Sequence, residues 1–127
     1  MAKRRNSKSF TSLGQLNYLS CIKYVDGVIG NSSSGLLEVP TFKKGTINIG
    51  DRQRGRIMAD SVINCSPTKE SILKAIEEIY SPVFNKRLRE VINPYGQGGA
   101  SRAIIDKIKT ISLQDILKKK FYDWKIK

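Results

Sequence analysis

The sequence predicts an α/β domain, a short parallel sheet covered by helices. Short β-branched runs at residues 26–30, 46–49 and 61–65 alternate with segments whose apolar residues recur at helical spacing. The first two runs each end in a polar loop, Asn31-Ser32-Ser33-Ser34-Gly35 and Asp51-Arg52-Gln53-Arg54-Gly55-Arg56. A length of 127 residues with 39% apolar content suits one hydrophobic core.

Each element has its own signal. Leu13, Leu16, Tyr18, Leu19, Ile22 and Val25 space a helix that opens after Ser12, its expected cap. A strand at 26–30 leads into a short helix at 33–39. Thr46-Ile47-Asn48-Ile49, flanked by glycines, reads as a second strand, and Ser61-Val62-Ile63-Asn64-Cys65 as a third. Ser66-Pro67-Thr68-Lys69-Glu70 predicts a helix capped by Ser66 with proline at its first position. Its apolar face is Ile72, Leu73, Ile76, Ile79 and Tyr80. Residues 83–91 form another helix, with Val83, Phe84, Leu88 and Val91 inward. The glycine-rich run from Asn93 to Gly99 breaks the chain. Ile104, Ile105 and Ile108 then space a further helix, and Ser112 caps the last one.

The two polar loops carry the chemistry. In parallel neighbours both lie at the C-terminal edge of the sheet, where open α/β sheets hold ligands. Backbone N–H groups at a helix start, with nearby hydroxyls, suit an anion. Glu38, about one turn on, is placed to accept hydrogen bonds from vicinal hydroxyls such as a ribose. Phosphate plus ribose suggests a nucleotide. Ser32 or Ser33 is equally read as a plain helix cap, and Arg52, Arg54 and Arg56 as a solvated basic loop. An arginine facing the serine turn would clamp a diphosphate.

The ordered runs GNSSSGLLEVP, GTINIGDRQRGR and NPYGQGGAS resemble the C-terminal half of the hydrolysing UDP-N-acetylglucosamine 2-epimerases. The likeness is strongest to the branch serving sialic- and legionaminic-acid synthesis, and runs from about Phe10 to Trp124. It implies a Rossmann-like three-layer domain, equivalent to the C-terminal domain of a B-type glycosyltransferase-like fold, that holds UDP. By position, Ser32 and Ser33 would contact the diphosphate, with Ser34 and Gly35 completing the turn. Glu38 would hold the ribose, Arg52 would add positive charge, and the loop around Ser12 would wall the uracil. Asn31 shapes the turn. The run after Asn93 would sit near the cleft.

The same resemblance places the acid–base carboxylates and a histidine of the reaction in an N-terminal domain. This chain contains no histidine. Glu70, Glu77, Glu78, Glu90 and Asp106 fall on helix faces and read as solvated charges. The expectation is a UDP-binding half, inactive alone, from an isomerase/hydrolase family, with no metal and no cofactor. Its ligand would be UDP or a UDP-amino-sugar, and an N-terminal half a possible partner. The organisation expected is a basic, disordered lead at 1–9, the UDP-binding domain at 10–111, and a C-terminal helix and basic tail at 112–127. In relatives that last helix braces the N-terminal domain. Here its residues Leu113, Ile116, Leu117, Phe121 and Trp124 would be free for self-association.

The formal charge of +12 raises an alternative, a basic interaction domain with a vestigial nucleotide site. Most of the excess lies in the tails: Lys3, Arg4, Arg5 and Lys8 at one end, Lys118, Lys119, Lys120, Lys125 and Lys127 at the other. Such tails bind polyanions weakly and lose them to salt. No nucleic-acid-reading motif accompanies them, so no specific nucleic acid is expected. No apolar stretch nears the ~20 residues of a membrane span, and the N-terminus lacks a signal peptide's apolar segment. Cys21, on an apolar stripe, and Cys65, at a strand end, read as buried thiols in a reducing cytoplasm.

Overall fold

The computed structural model describes residues 6–114 and Leu117. Three parallel strands, β1 (Gly27–Gly30), β2 (Gly45–Ile49) and β3 (Val62–Cys65), form one sheet in that order. Gly27 is in register with Gly45, and Thr46 with Val62. The strands fall where the β-branched runs lie in the sequence, and the α/β class is as expected.

Side chains on successive strand residues face opposite sides. Ile47, Ile63 and Cys65 point to one side, where α3 (Lys69–Ile79) and α4 (Pro82–Glu90) cover them with Ala75, Ile79, Phe84 and Leu88. Thr46 and Asn48 point to the other, and both are buried. There α2 (Ser34–Leu37) lies against β1 and β2. A 3₁₀ turn (Val39–Phe42) follows, and α1 (Gly14–Tyr24) packs on that turn. Ile22, Leu36 and Val39 are fully buried in this layer. The result is a Rossmann-like three-layer arrangement.

Two paired glycines set how closely one layer approaches. A Cβ at Gly45 would lie 2.7 Å from Ile79 Cδ1 and 2.9 Å from Phe84 Cε1. A Cβ at Gly27 would lie 2.5 Å from Ile79 Cδ1. The starts of β1 and β2 are therefore a trough into which Ile79 and Phe84 fit.

Several local expectations are corrected. The helix expected at 33–39 is instead α2 followed by the 3₁₀ turn. Pro40 has no N–H to continue the ladder, and Thr41 N–H goes to Glu38 O instead (3.1 Å). The cap of α3 is Thr68, whose Oγ1 accepts from Ser71 N–H at 3.3 Å. Ser66 instead donates its backbone N–H to Ser71 Oγ (3.1 Å), and Pro67 precedes the helix. Ser12 is not the N-cap residue of α1, which is Leu13, although its Oγ accepts from Gly14 N–H at 3.2 Å. Leu16, Val25, Leu73, Tyr80 and Val83 are exposed. Each helix meets its neighbours along a narrower stripe than its apolar spacing allows. Cys21 is exposed too, because the adjacent Ile22 is the residue turned inward.

The polypeptide divides into two units, up to Gln97 and from Gly98 onward. The second contains α5 (Ala100–Thr110), whose Ile104, Ile105 and Ile108 are exposed. Of the expected last helix, Leu113 and Leu117 are exposed, while Ile116, Phe121 and Trp124 lie outside the described residues, as does the start of the basic lead. No described helix is long and apolar enough to cross a membrane.

Replacing Gly45 with alanine should destabilise the fold by about 1–3 kcal/mol, because Ile79 and Phe84 must both retreat from a packed core. Thermal unfolding measures this. At about 4–8 °C per kcal/mol for a domain of this size, a melting temperature unchanged by Gly45→Ala would show that the trough is not tight.

Candidate functional site

Because the strands are parallel, Gly30, Ile49 and Cys65 all end at one edge of the sheet. The serine turn, the basic loop and the start of the α3 connection therefore meet there. The sequence expectation that both polar loops share an edge holds.

The serine turn is held from several sides. Gly35 N–H donates to Ser32 O (3.2 Å), and Leu36 and Leu37 N–H donate to Ser33 O (3.0 and 2.9 Å). Ser32 Oγ accepts from Ser34 N–H at 3.4 Å. The Ser34 hydroxyl and the Tyr18 phenol share a 2.5 Å hydrogen bond, which ties α1 to α2. Gly35 is buried against β2: a Cβ there would fall 2.5 Å from Thr46 Cγ2. Thr46 Oγ1 donates to Gly35 O at 2.9 Å. The capping reading is only partly met, since Ser33 occupies the N-cap position of α2 without a side-chain cap bond.

Glu38 is half-buried at the end of α2. With Phe10, Ser12, Gln15 and Tyr18 it lines an open cleft of about 540 Å³. Two of the candidate residues, Ser12 and Glu38, thus share one hollow. Its mix of an aromatic ring, a hydroxyl and a carboxylate suits a flat heterocycle joined to a diol. Arg52 is exposed on the loop after β2 and does not line that cleft. A second hollow of about 560 Å³ follows the ends of β2 and β3, lined by Gly50, Asn64, Cys65, Ser66 and Ser71.

Residues outside the candidate set hold the edge together. Gln53 is only 2% exposed, and its Nε2 donates to Asn31 O at 2.7 Å. Asn93 is buried, and its Nδ2 donates to Leu37 O (2.8 Å) and Thr41 Oγ1 (2.7 Å). Tyr95 OH donates to Ile57 O at 2.9 Å. The start of the glycine-rich run is thus stitched to α2 and to the basic loop's descent. No periodicity marks Gln53 or Asn93. Only their place in the two loops, beside Arg52 and Pro94, hints at them.

A three-stranded parallel sheet with helices on both faces and polar loops leaving one strand edge defines a Rossmann-like domain. Residues 1–109 match the family described as UDP-N-acetylglucosamine 2-epimerase, and the chain belongs to that family. It is 41% identical over 114 residues to the polysialic acid biosynthesis protein P7 of Escherichia coli, covering 90% of this chain and 28% of that protein. It is 40% identical over 118 residues to the GDP/UDP-N,N'-diacetylbacillosamine 2-epimerase (hydrolyzing) of Campylobacter jejuni, covering 92% of this chain and 30% of that enzyme. A UDP-N,N'-diacetylbacillosamine 2-epimerase (hydrolyzing) of Legionella pneumophila is 34% identical over 96 residues, 76% of this chain and 24% of that enzyme. The chain therefore spans less than a third of the length of these relatives.

The two cysteines give a direct check on the edge geometry. Burial pushes the Cys65 thiol up, which lowers its thiolate fraction, whereas Cys21 is exposed. With iodoacetamide at pH 8, Cys21 should be alkylated at least about tenfold faster than Cys65. Peptide mass mapping separates the two sites, and equal rates would mean that the end of β3 is open to solvent.

Proposed function

We propose that this stretch binds the UDP portion of a UDP-amino-sugar within a hydrolysing 2-epimerase. The observation that carries the reading is that the serine turn and the basic loop leave one sheet edge, while Glu38, at the end of the helix that follows the turn, lines one cleft with Ser12. In this reading the uracil lies in the hollow of Phe10, Ser12 and Tyr18. Glu38 accepts hydrogen bonds from the ribose hydroxyls. Ser32 and Ser33 meet the diphosphate, Ser34 and Gly35 support the turn, and Arg52 swings in from the neighbouring loop.

The geometry refines these roles. The Ser34 hydroxyl is already engaged by Tyr18, and the Gly35 N–H by Ser32 O. Ser34 and Gly35 therefore act by shaping the turn, which leaves direct phosphate contact to Ser32 and Ser33. Arg52, exposed and long, supplies charge that can reach across the edge without ordering the loop beforehand. The acid–base steps of an epimerase fall to groups outside this stretch, so it binds nucleotide but does not turn substrate over by itself. In the cytoplasm its working partner would be the remainder of such an enzyme.

Titrating the isotopically labelled chain with UDP, with uridine and inorganic pyrophosphate as controls, tests the reading by NMR. Saturating shifts are expected at Ser32, Ser33, Glu38 and Arg52, with a Kd on the order of 0.1–1 mM for a cleft with one wall. Glu38→Ala and Arg52→Ala should each weaken UDP at least about tenfold, the loss of a hydrogen bond or ion contact to a charged group. No UDP should appear when the chain is incubated with UDP-N-acetylglucosamine. A folded spectrum indifferent to UDP, with salt-sensitive binding to heparin, would replace this reading with that of a basic interaction domain.

A further inference from the structure

We infer that Gln53 is a positioning residue that aims the backbone of the serine turn at the diphosphate. The inference rests on the UDP-binding reading above and adds to it a residue that touches no ligand.

Gln53 lies among three arginines in a loop that is otherwise exposed, yet it is 2% exposed itself. A primary amide buried without partners is costly, so its one strong bond matters. That bond, Nε2 to Asn31 O, is 2.7 Å long, the short end of the N–H···O range. It joins the loop after β2 to the first residue after β1.

The peptide plane gives the bond its consequence. The Asn31 carbonyl and the Ser32 N–H belong to one trans peptide, so they point in opposite directions. Holding the carbonyl on Gln53 turns the Ser32 N–H away from Gln53. It also fixes where the chain enters the turn, and hence where the Ser32 and Ser33 hydroxyls stand. A turn tethered only by its own hydrogen bonds could rotate this peptide at little cost.

A second observation argues against a purely structural role. Gln53 Oε1 is buried without a partner among the described residues. Leaving such an acceptor unpaired is destabilising, and an apolar side chain of similar length would avoid it. Stability alone does not favour glutamine here. The Nε2 donor does, because nothing apolar can hold the Asn31 carbonyl.

The test compares UDP with uridine on the full chain carrying Gln53→Met, which keeps the length and removes the donor. UDP affinity should fall about tenfold, while uridine, which has no diphosphate, should bind as it does to the unaltered chain. Gln53→Leu, which is neutral and also loses the donor, should show the same split, so the test survives if one variant fails to fold. Thermal unfolding confirms that the protein compared is folded. Equal losses for UDP and uridine would mean that Gln53 merely supports the fold, and unchanged UDP affinity would remove it from the site; either overturns the inference alone. An unaltered chain that does not bind UDP would overturn the UDP reading and this inference with it.

Discussion

Strand β2 is where both helical layers reach the sheet, and the small residues at its start decide how near they come. On one side, Gly45 leaves room for Ile79 and Phe84. On the other, Thr46 meets the buried Gly35 of α2 and donates its hydroxyl to that residue's carbonyl. A larger side chain at either glycine would push a layer outward. Interiors packed at crystal density transmit such a shift rather than absorb it. The serine turn would move with α2, because Gly35 belongs to both.

From this contact the rest of the edge follows. Parallel order puts three strand ends together, and the loops that leave them are joined by side chains rather than by further strands. Tyr18 reaches Ser34 from α1, Gln53 reaches Asn31 from the basic loop, and Asn93 reaches the end of α2. Each link is a single hydrogen bond of modest net worth, about 1 kcal/mol. Together they connect segments far apart in sequence.

Much of the fold was legible because strands of β-branched residues and glycine-rich breaks are local signals. Ile47 and Ile63 are core, as their runs predict. Boundaries were less legible where two signals compete in a few residues. Ser66 and Thr68 are both good caps, and Pro67 between them leaves the choice to the partner, Ser71. Apolar spacing also overstates burial: Leu16 is 80% exposed although it lies on the expected stripe of α1. At the site, Ser12 and Glu38, which the family resemblance assigns to the nucleoside, line one hollow, and Arg52 does not. Gln53 was not legible as a brace, because a polar residue flanked by arginines looks solvated. Its burial depends on a carbonyl 22 positions away in sequence.

The tethering of the serine turn also bears on the timing of ligand exchange. Its backbone is held by β2 through Gly35, by α1 through Ser34 and by the basic loop through Asn31. The ordering entropy of those residues is therefore lost when the chain folds, not when an anion arrives. No segment of the turn has to close over the newcomer. On the UDP-binding reading, a ligand held weakly on such an open edge would leave quickly, and the lifetime of the complex would follow from how much of the ligand the cleft encloses.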